Sequence, residues 1–348
     1  MPYRIAVLRR LALAAVLLAF TVVVFGAYVR LTAAGLGCPD WPGCYGHLTP
    51  AGAAAAAVDA GTPTSPLHVG KAWREMIHRY LASTLGLFIV VIAALSWWWR
   101  KPRGLPVALP VGLVALVIFQ GLLGMWTVTL LLKPFIVTAH LAFGLTTLSL
   151  LWWYWLTLRR VSTNPWSGSA AALGGGSTAA LLRPASAGLQ RLGLVAVVAL
   201  IVQILLGGWT STNYAAVACP DFPTCQGQWW PRTDFADAFV LWRGLGINYE
   251  GGVLDHPARV AVHLAHRLGA LVAAITLTVA AVAALRHRDD RNSRWGAWAL
   301  LCALALQLAI GIGMVKMGFP LWLATAHNAG AALLLLAGLG FNRALRRA

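Results

Sequence analysis

Four histidines stand where imidazoles are costly. His78, His140, His266 and His327 each fall about five to seven residues into an apolar run long enough to cross a bilayer. Ionisable groups inside such runs mark function by default. A lone histidine of this kind reads as a satisfied core residue; four at matched places read as ligands. They form two pairs, His78 with His140 and His266 with His327. Two imidazoles facing each other across a four-helix bundle are the ligand set of a bis-histidine haem. At about 1.5 Å of helix rise per residue, all four would lie roughly 10 Å below the outer boundary.

Arginine follows the first histidine of each pair, as His78-Arg79 and His266-Arg267. A buried haem carries two propionates, and arginine pairs carboxylates bidentately. Arg79 and Arg267 are therefore propionate candidates, with snorkelling at the interface as the plainer alternative. One helical turn before the histidine the pairs differ: the first has Glu75, the second His263. A carboxylate there is expensive without a task, such as moving a proton. This asymmetry predicts chemistry in the first half and electron carriage in the second, with His263 as an alternative ligand or a hydrogen-bond partner.

A second motif occurs twice: CPDWPGC at 38–44 and CPDFPTC at 219–225. Both boxes follow a span and fall on the non-cytoplasmic side, where disulfides persist. Cys38 with Cys44 and Cys219 with Cys225 read as loop staples, the first of them open to reduction, or as redox pairs exchanging electrons with a partner. A metal site is the weakest reading, because no histidine has ligand spacing within the box. Cys302, alone in a span, reads as packing.

The elements that must carry these groups follow from composition. Of 348 residues, 59% are hydrophobic and 11% charged, far from the roughly 25% charge of soluble domains. Eight runs qualify as spans: 10–30, 73–98, 106–130, 135–157, 190–211, 261–285, 295–317 and 320–342. The formal charge of +17 collects in both termini and in alternate loops. That pattern reports orientation, both termini cytoplasmic, and gives no reason to expect nucleic acid as a partner. The first run is longer than a signal-peptide core and has a repeat partner, so it is retained as a helix.

The halves align. GAYVRLTAAGLGCPDWPGCYG (26–46) lies over GGWTSTNYAAVACPDFPTCQG (207–227), and EMIHRYLASTLG (75–86) over HLAHRLGALVAA (263–274). Gln120 with His140 lies over Gln307 with His327. This is an internal repeat of four helices, and an even span count makes the repeats parallel. The fold class is an all-α polytopic membrane protein, eight transmembrane helices in two pseudo-symmetric four-helix bundles. The N-terminal bundle covers 1–160, the C-terminal bundle 190–348, and a Ser/Gly/Ala-rich cytoplasmic linker 161–189 joins them.

Taken together, RLTAAGLGCPDWPGCYG, the EMIHR box, QGLLGMWTV, CPDFPTC and the paired histidines resemble the haem A synthase family of cytochrome oxidase biogenesis. The resemblance spans nearly the whole chain. It implies oxidation of the C8 methyl of haem O to a formyl group through successive hydroxylations. It implies substrate haem held by His78 and His140 with Glu75 near the reacting methyl, and cofactor haem b held by His266 and His327. Cys38 and Cys44 match the family's disulfide, and Cys219 with Cys225 the second pair of some members. A bacterial inner-membrane location follows, with haem O synthase, an electron acceptor and a homo-oligomer as the associations it leaves open. The substrate's farnesyl tail calls for a site open to lipid; apolar walls rich in Trp and Leu, with Trp126 and Trp209 near the outer ends of helices, suit it, as they equally suit an ordinary interfacial belt. The rival reading is a membrane cytochrome b that only passes electrons, which leaves Glu75 without a task.

Overall fold

Inside hydrocarbon every peptide N–H and C=O must be paired within its own segment, so a long apolar run has little choice but helix. The computed structural model describes residues 2–59, 68–100, 107–163, 185–287 and 290–346. Each of the eight apolar runs is a helix in it: α1 (Pro2–Leu31), α3 (Val69–Trp98), α4 (Ala108–Thr129), α5 (Pro134–Thr163), α6 (Ala187–Thr212), α8 (His256–His287), α9 (Arg291–Lys316) and α10 (Leu321–Leu345). Two short helices, α2 (Pro50–Asp59) and α7 (Phe235–Ala238), lie in the segments after the cysteine boxes. Among the described residues there is no strand, only the isolated bridges Cys44–His47 and Cys225–Gln228. Most of the linker, 164–184, lies outside the described residues.

The helices sort themselves into two rings of four. In the first, α1 and α4 each pack against α3 and α5; in the second, α6 and α9 each pack against α8 and α10. Across the boundary α1 touches α10, α5 touches α6, and α5 touches α10. Exchanging the halves turns the first contact into the second and leaves the third unchanged, as a pseudo-twofold axis requires. Leu148, Leu151 and Leu277 fill the interior, and the buried Tyr154 hydroxyl meets Ser96 Oγ at 2.7 Å. Leu87, Ile118, Leu271 and Trp298 stay exposed. That apolar exterior would be a liability in water and is the lipid surface of a membrane protein.

Polar groups lock the halves at both ends. Arg30 donates to the Ser211 carbonyl at 2.7 Å and covers the Tyr214 ring at 4.0 Å. At the opposite end Arg343 donates to Thr157 Oγ1 at 3.0 Å, over the Trp153 ring. The loop before α8 straps the first half: Lys133 Nζ donates to the Gly244 carbonyl at 2.8 Å, and the Tyr249 N–H to the Leu131 carbonyl at 3.0 Å.

Three sequence expectations change. First, α3 and α8 start at Val69 and His256, before their apolar runs, so His78 and His266 sit deeper in their helices than His140 and His327. The extra turns pack under the cysteine loops, Ala72 with Cys38 and Cys44, and Val260 with Cys219 and Cys225. Second, Trp209 is buried and its indole N–H donates to the Ala238 carbonyl at 2.9 Å; it anchors α7 rather than facing lipid. Third, Cys302 is exposed on α9 and packs no core.

Candidate active site

The cysteine boxes fold the same way twice. Cys38–Cys44 and Cys219–Cys225 are both disulfides. Asp40 accepts the N–H groups of Tyr45 at 2.5 Å and Gly46 at 2.8 Å. Asp221 accepts those of Gln226 at 2.6 Å and Gly227 at 3.0 Å. These donors point inward because residues 45–46 and 226–227 take positive φ, 54° and 76° in one loop, 57° and 72° in the other. Glycine accepts that conformation freely, and the aspartate compensates its neighbour. The Thr224 hydroxyl and these peptide donors hold the Asp221 carboxyl down at about 2. Thus the Pro-Asp-aromatic-Pro frame shapes a loop whose carbonyls face one way.

Those carbonyls take the arginines. Arg79 donates to the carbonyls of Asp40 at 3.0 Å, Pro42 at 3.2 Å and Gly43 at 2.5 Å. Arg267 donates to those of Cys219 at 3.1 Å, Asp221 at 2.7 Å and Thr224 at 2.7 Å. Each guanidinium bolts its cysteine loop onto the helix turn that carries the histidine. Hydrogen bonds from charged donors contribute about 1.5–3 kcal/mol each.

One turn earlier the halves diverge. Glu75 is buried, yet both oxygens are partnered: Oε1 by Arg79 at 2.5 Å, Oε2 by the Cys38 N–H at 2.9 Å. Full pairing is what makes a buried carboxylate tolerable. In the second half the buried His263 accepts a hydrogen bond from Arg267 Nε at 3.2 Å through Nε2, so its contact is with the arginine.

Every one of the four histidine rings leans on a glycine of the preceding long helix. A Cβ at Gly26 would stand 2.8 Å from His78 Cε1, at Gly124 3.4 Å from His140, at Gly207 3.0 Å from His266 and at Gly311 3.0 Å from His327. Three of these helices also send a glutamine, four residues before the glycine, to the backbone carbonyl of the histidine: Gln120 to His140 at 2.8 Å, Gln203 to His266 at 3.0 Å, Gln307 to His327 at 3.1 Å. Sequence reading found Gln120 and Gln307 by their repeat. It missed Gln203 and all four glycines; the spacing Gln-x3-Gly would have flagged Gln203 and every glycine but Gly26, which follows Val22.

The pairs enclose different spaces. His78 and His140 line a cavity of about 930 Å³ together with Glu75, Arg79 and Arg30, near the top of the roughly 300–1,000 Å³ range of ligand pockets. Its walls are otherwise mainly apolar, from Val22 and Val90 to Ile118 and Leu141, with Gln120 and Thr147 among the polar exceptions. Nδ1 of both rings is buried without a partner among the described residues. The rings of His266 and His327 stand 6.5 Å apart, centre to centre. Imidazole nitrogens bind metals at about 2 Å, so two rings sharing one ion on opposite sides stand roughly 6 Å apart. The spacing of the second pair matches that of two imidazoles on one iron.

Such an arrangement defines an eight-span membrane protein with one roomy and one tight histidine pair. The chain belongs to the cytochrome oxidase assembly protein family COX15-CtaA, which it matches over residues 9–339. Among similar curated proteins, "Heme A synthase" of Shewanella oneidensis is 42% identical over 319 residues, 90% of this chain and 89% of that one. "Heme A synthase" of Rhizorhabdus wittichii is 28% identical over 342 residues, 92% and 88% of the two chains. That of Paracoccus denitrificans is 29% identical over 340 residues, 90% and 81%. With its eight apolar helices and bacterial relatives, the chain is a multi-pass protein of a bacterial inner membrane.

Proposed function

We propose that this protein is a haem A synthase, an oxidoreductase that takes haem O from the bilayer and converts its C8 methyl to a formyl group by successive hydroxylations, supplying cytochrome oxidase. The observation that carries this reading is the first-half cavity, which gathers two unpaired imidazoles, a buried carboxylate and an arginine within apolar walls. The family membership and the named relatives support the same activity.

The N-terminal bundle, 1–160, would hold substrate haem through His78 and His140. The apolar wall contributed by α3 and α4 suits a prenyl tail lying toward lipid. Glu75 would accept or return a proton beside the reacting methyl, through the oxygens that now face Arg79 and Cys38. Arg79, and Arg267 in the other half, would orient propionates while keeping their loops closed. The C-terminal bundle, 190–348, would hold haem b through His266 and His327, with the linker 161–189 and both termini in the cytoplasm. When bound, haem b supplies one-electron transfer, so electrons taken from the substrate have a route toward an acceptor. Glu75 and the unequal pairs speak against a cytochrome that merely relays electrons.

The site assignment has a direct test. His78→Ala and His140→Ala should stop haem A formation while the purified protein keeps its haem b spectrum. His266→Ala and His327→Ala should lose that spectrum. Equal loss of haem b from all four variants would sink the division of labour.

A further inference from the structure

The two halves support their histidines unequally. In the second half the same amide that grips the backbone also reaches the ring edge: Gln203 Nε2 lies 3.0 Å from His266 Nδ1 and 3.5 Å from its Nε2, and Gln307 Nε2 3.2 Å and 3.3 Å from the same atoms of His327. Both amides nest against a glycine on the histidine helix, Gly269 and Gly330, where a Cβ would collide with their Oε1. Each ring is thereby wedged between a glycine and a glutamine of the preceding helix. In the first half Gln120 also lies against a glycine of the histidine helix, Gly144, but it bonds only the His140 backbone, and Nδ1 of His140 is without a partner among the described residues. His78 has less still. The position one turn before its glycine is Val22, and the residue matching Gly269 is Leu81, so neither the amide nor its notch exists there.

A histidine bound to metal through Nε2 carries its other proton on Nδ1, and a fixed partner for that N–H orients the ring. The buried Oε1 atoms of Gln203 and Gln307, like that of Gln120, have no partner among the described residues; only in the second half does the amide already stand at the ring, where turning it presents an acceptor to Nδ1–H. We propose that Gln203 and Gln307 are positioning residues that make the second-half haem a permanent resident, whereas Val22 and Leu81 leave His78 unclamped so that the first half exchanges its haem at every turnover. For the first histidine of each pair, retention and release are then set by one helix position, Gln203 in one half and Val22 in the other. This rests on the haem assignment proposed above.

The test uses the full chain purified in detergent or lipid, with haem loss followed by transfer to an apo haem-binding acceptor protein. Gln203→Met and Gln307→Met keep the bulk of the side chain and remove the amide. Each should speed haem b loss about 10- to 100-fold, the usual effect of deleting a ligand's orienting partner. Each should also shift the low-spin signature in electron paramagnetic resonance, which a purely structural role would not move. Gln120→Met should leave haem b loss unchanged. The reciprocal variant, Val22→Gln with Leu81→Gly, should retain first-half haem O or haem A through purification, while the unaltered chain releases it. Haem b loss and resonance unchanged in both methionine variants would overturn the proposal. Should those variants not accumulate, the reciprocal variant decides alone, and unaltered release from it overturns the proposal. Failure of the underlying assignment reads differently: the unaltered chain would then carry no haem b at all.

Discussion

Glu75 Oε2 accepts the peptide N–H of Cys38 at 2.9 Å, while its other oxygen holds Arg79. Through these bonds the first disulfide loop, the carboxylate and the helix of His78 form one unit. Glu75→Gln keeps the size and one acceptor for Cys38 but removes the charge and the proton. Haem A formation should fall about 100-fold or more, the usual share of a general acid–base group, while haem b content stays constant. Unimpaired turnover in extracted membrane haems would remove Glu75 from the chemistry.

The glycines under the rings give separate handles on the two pairs. Gly207→Ala would drive a Cβ into His266 and should lower haem b per chain and shift its absorption. Gly26→Ala would press on His78 and should depress haem A formation with haem b untouched. Optical spectra and haem extraction on both variants check this, and identical phenotypes would contradict independent sites.

Much of this arrangement was legible before any coordinates. The spans were clear because each is a long apolar run, and the repeat because CPDWPGC and CPDFPTC fall at one offset. The four histidines were visible because they are ionisable among apolar neighbours. What supports them was not. Gln203 has Val22 as its counterpart, so aligning the halves does not mark it, and a glycine in an apolar run looks like ordinary helix filler. The bonds of Arg79 and Arg267 to loop carbonyls were not legible either, because such clamps depend on how a loop folds. The early starts of α3 and α8 were hidden for the same reason, since those turns precede the apolar runs and pack on the loops above them.

The clamps make the loops dependent on arginine. Arg267→Ala removes three bonds from a charged donor to the 219–224 carbonyls, and Arg79→Ala removes their equivalents over 40–43. Limited proteolysis of each variant, mapped after reduction, should cut its own loop first and leave the other intact. Lysine should rescue only weakly, because its ammonium lacks the planar fork. Resistance equal to the unaltered chain would show that the disulfide and aspartate suffice.

The second disulfide closes a loop already held by Asp221 and Arg267. Replacing Cys219 and Cys225 by serine should cost about 2 kcal/mol through loop entropy and lower the thermal midpoint. Haem A formation below that midpoint should persist. Loss of turnover in a well-folded double variant would point instead to a redox task for the pair.

The central claim is the conversion itself. Haems extracted from membranes that make haem O, with and without this protein, should be separated by chromatography and identified by mass. A formyl-bearing haem A peak that appears only with the protein is the predicted result. Haem O left unchanged, beside haem b bound to the purified chain, would contradict the account and leave an electron carrier in its place.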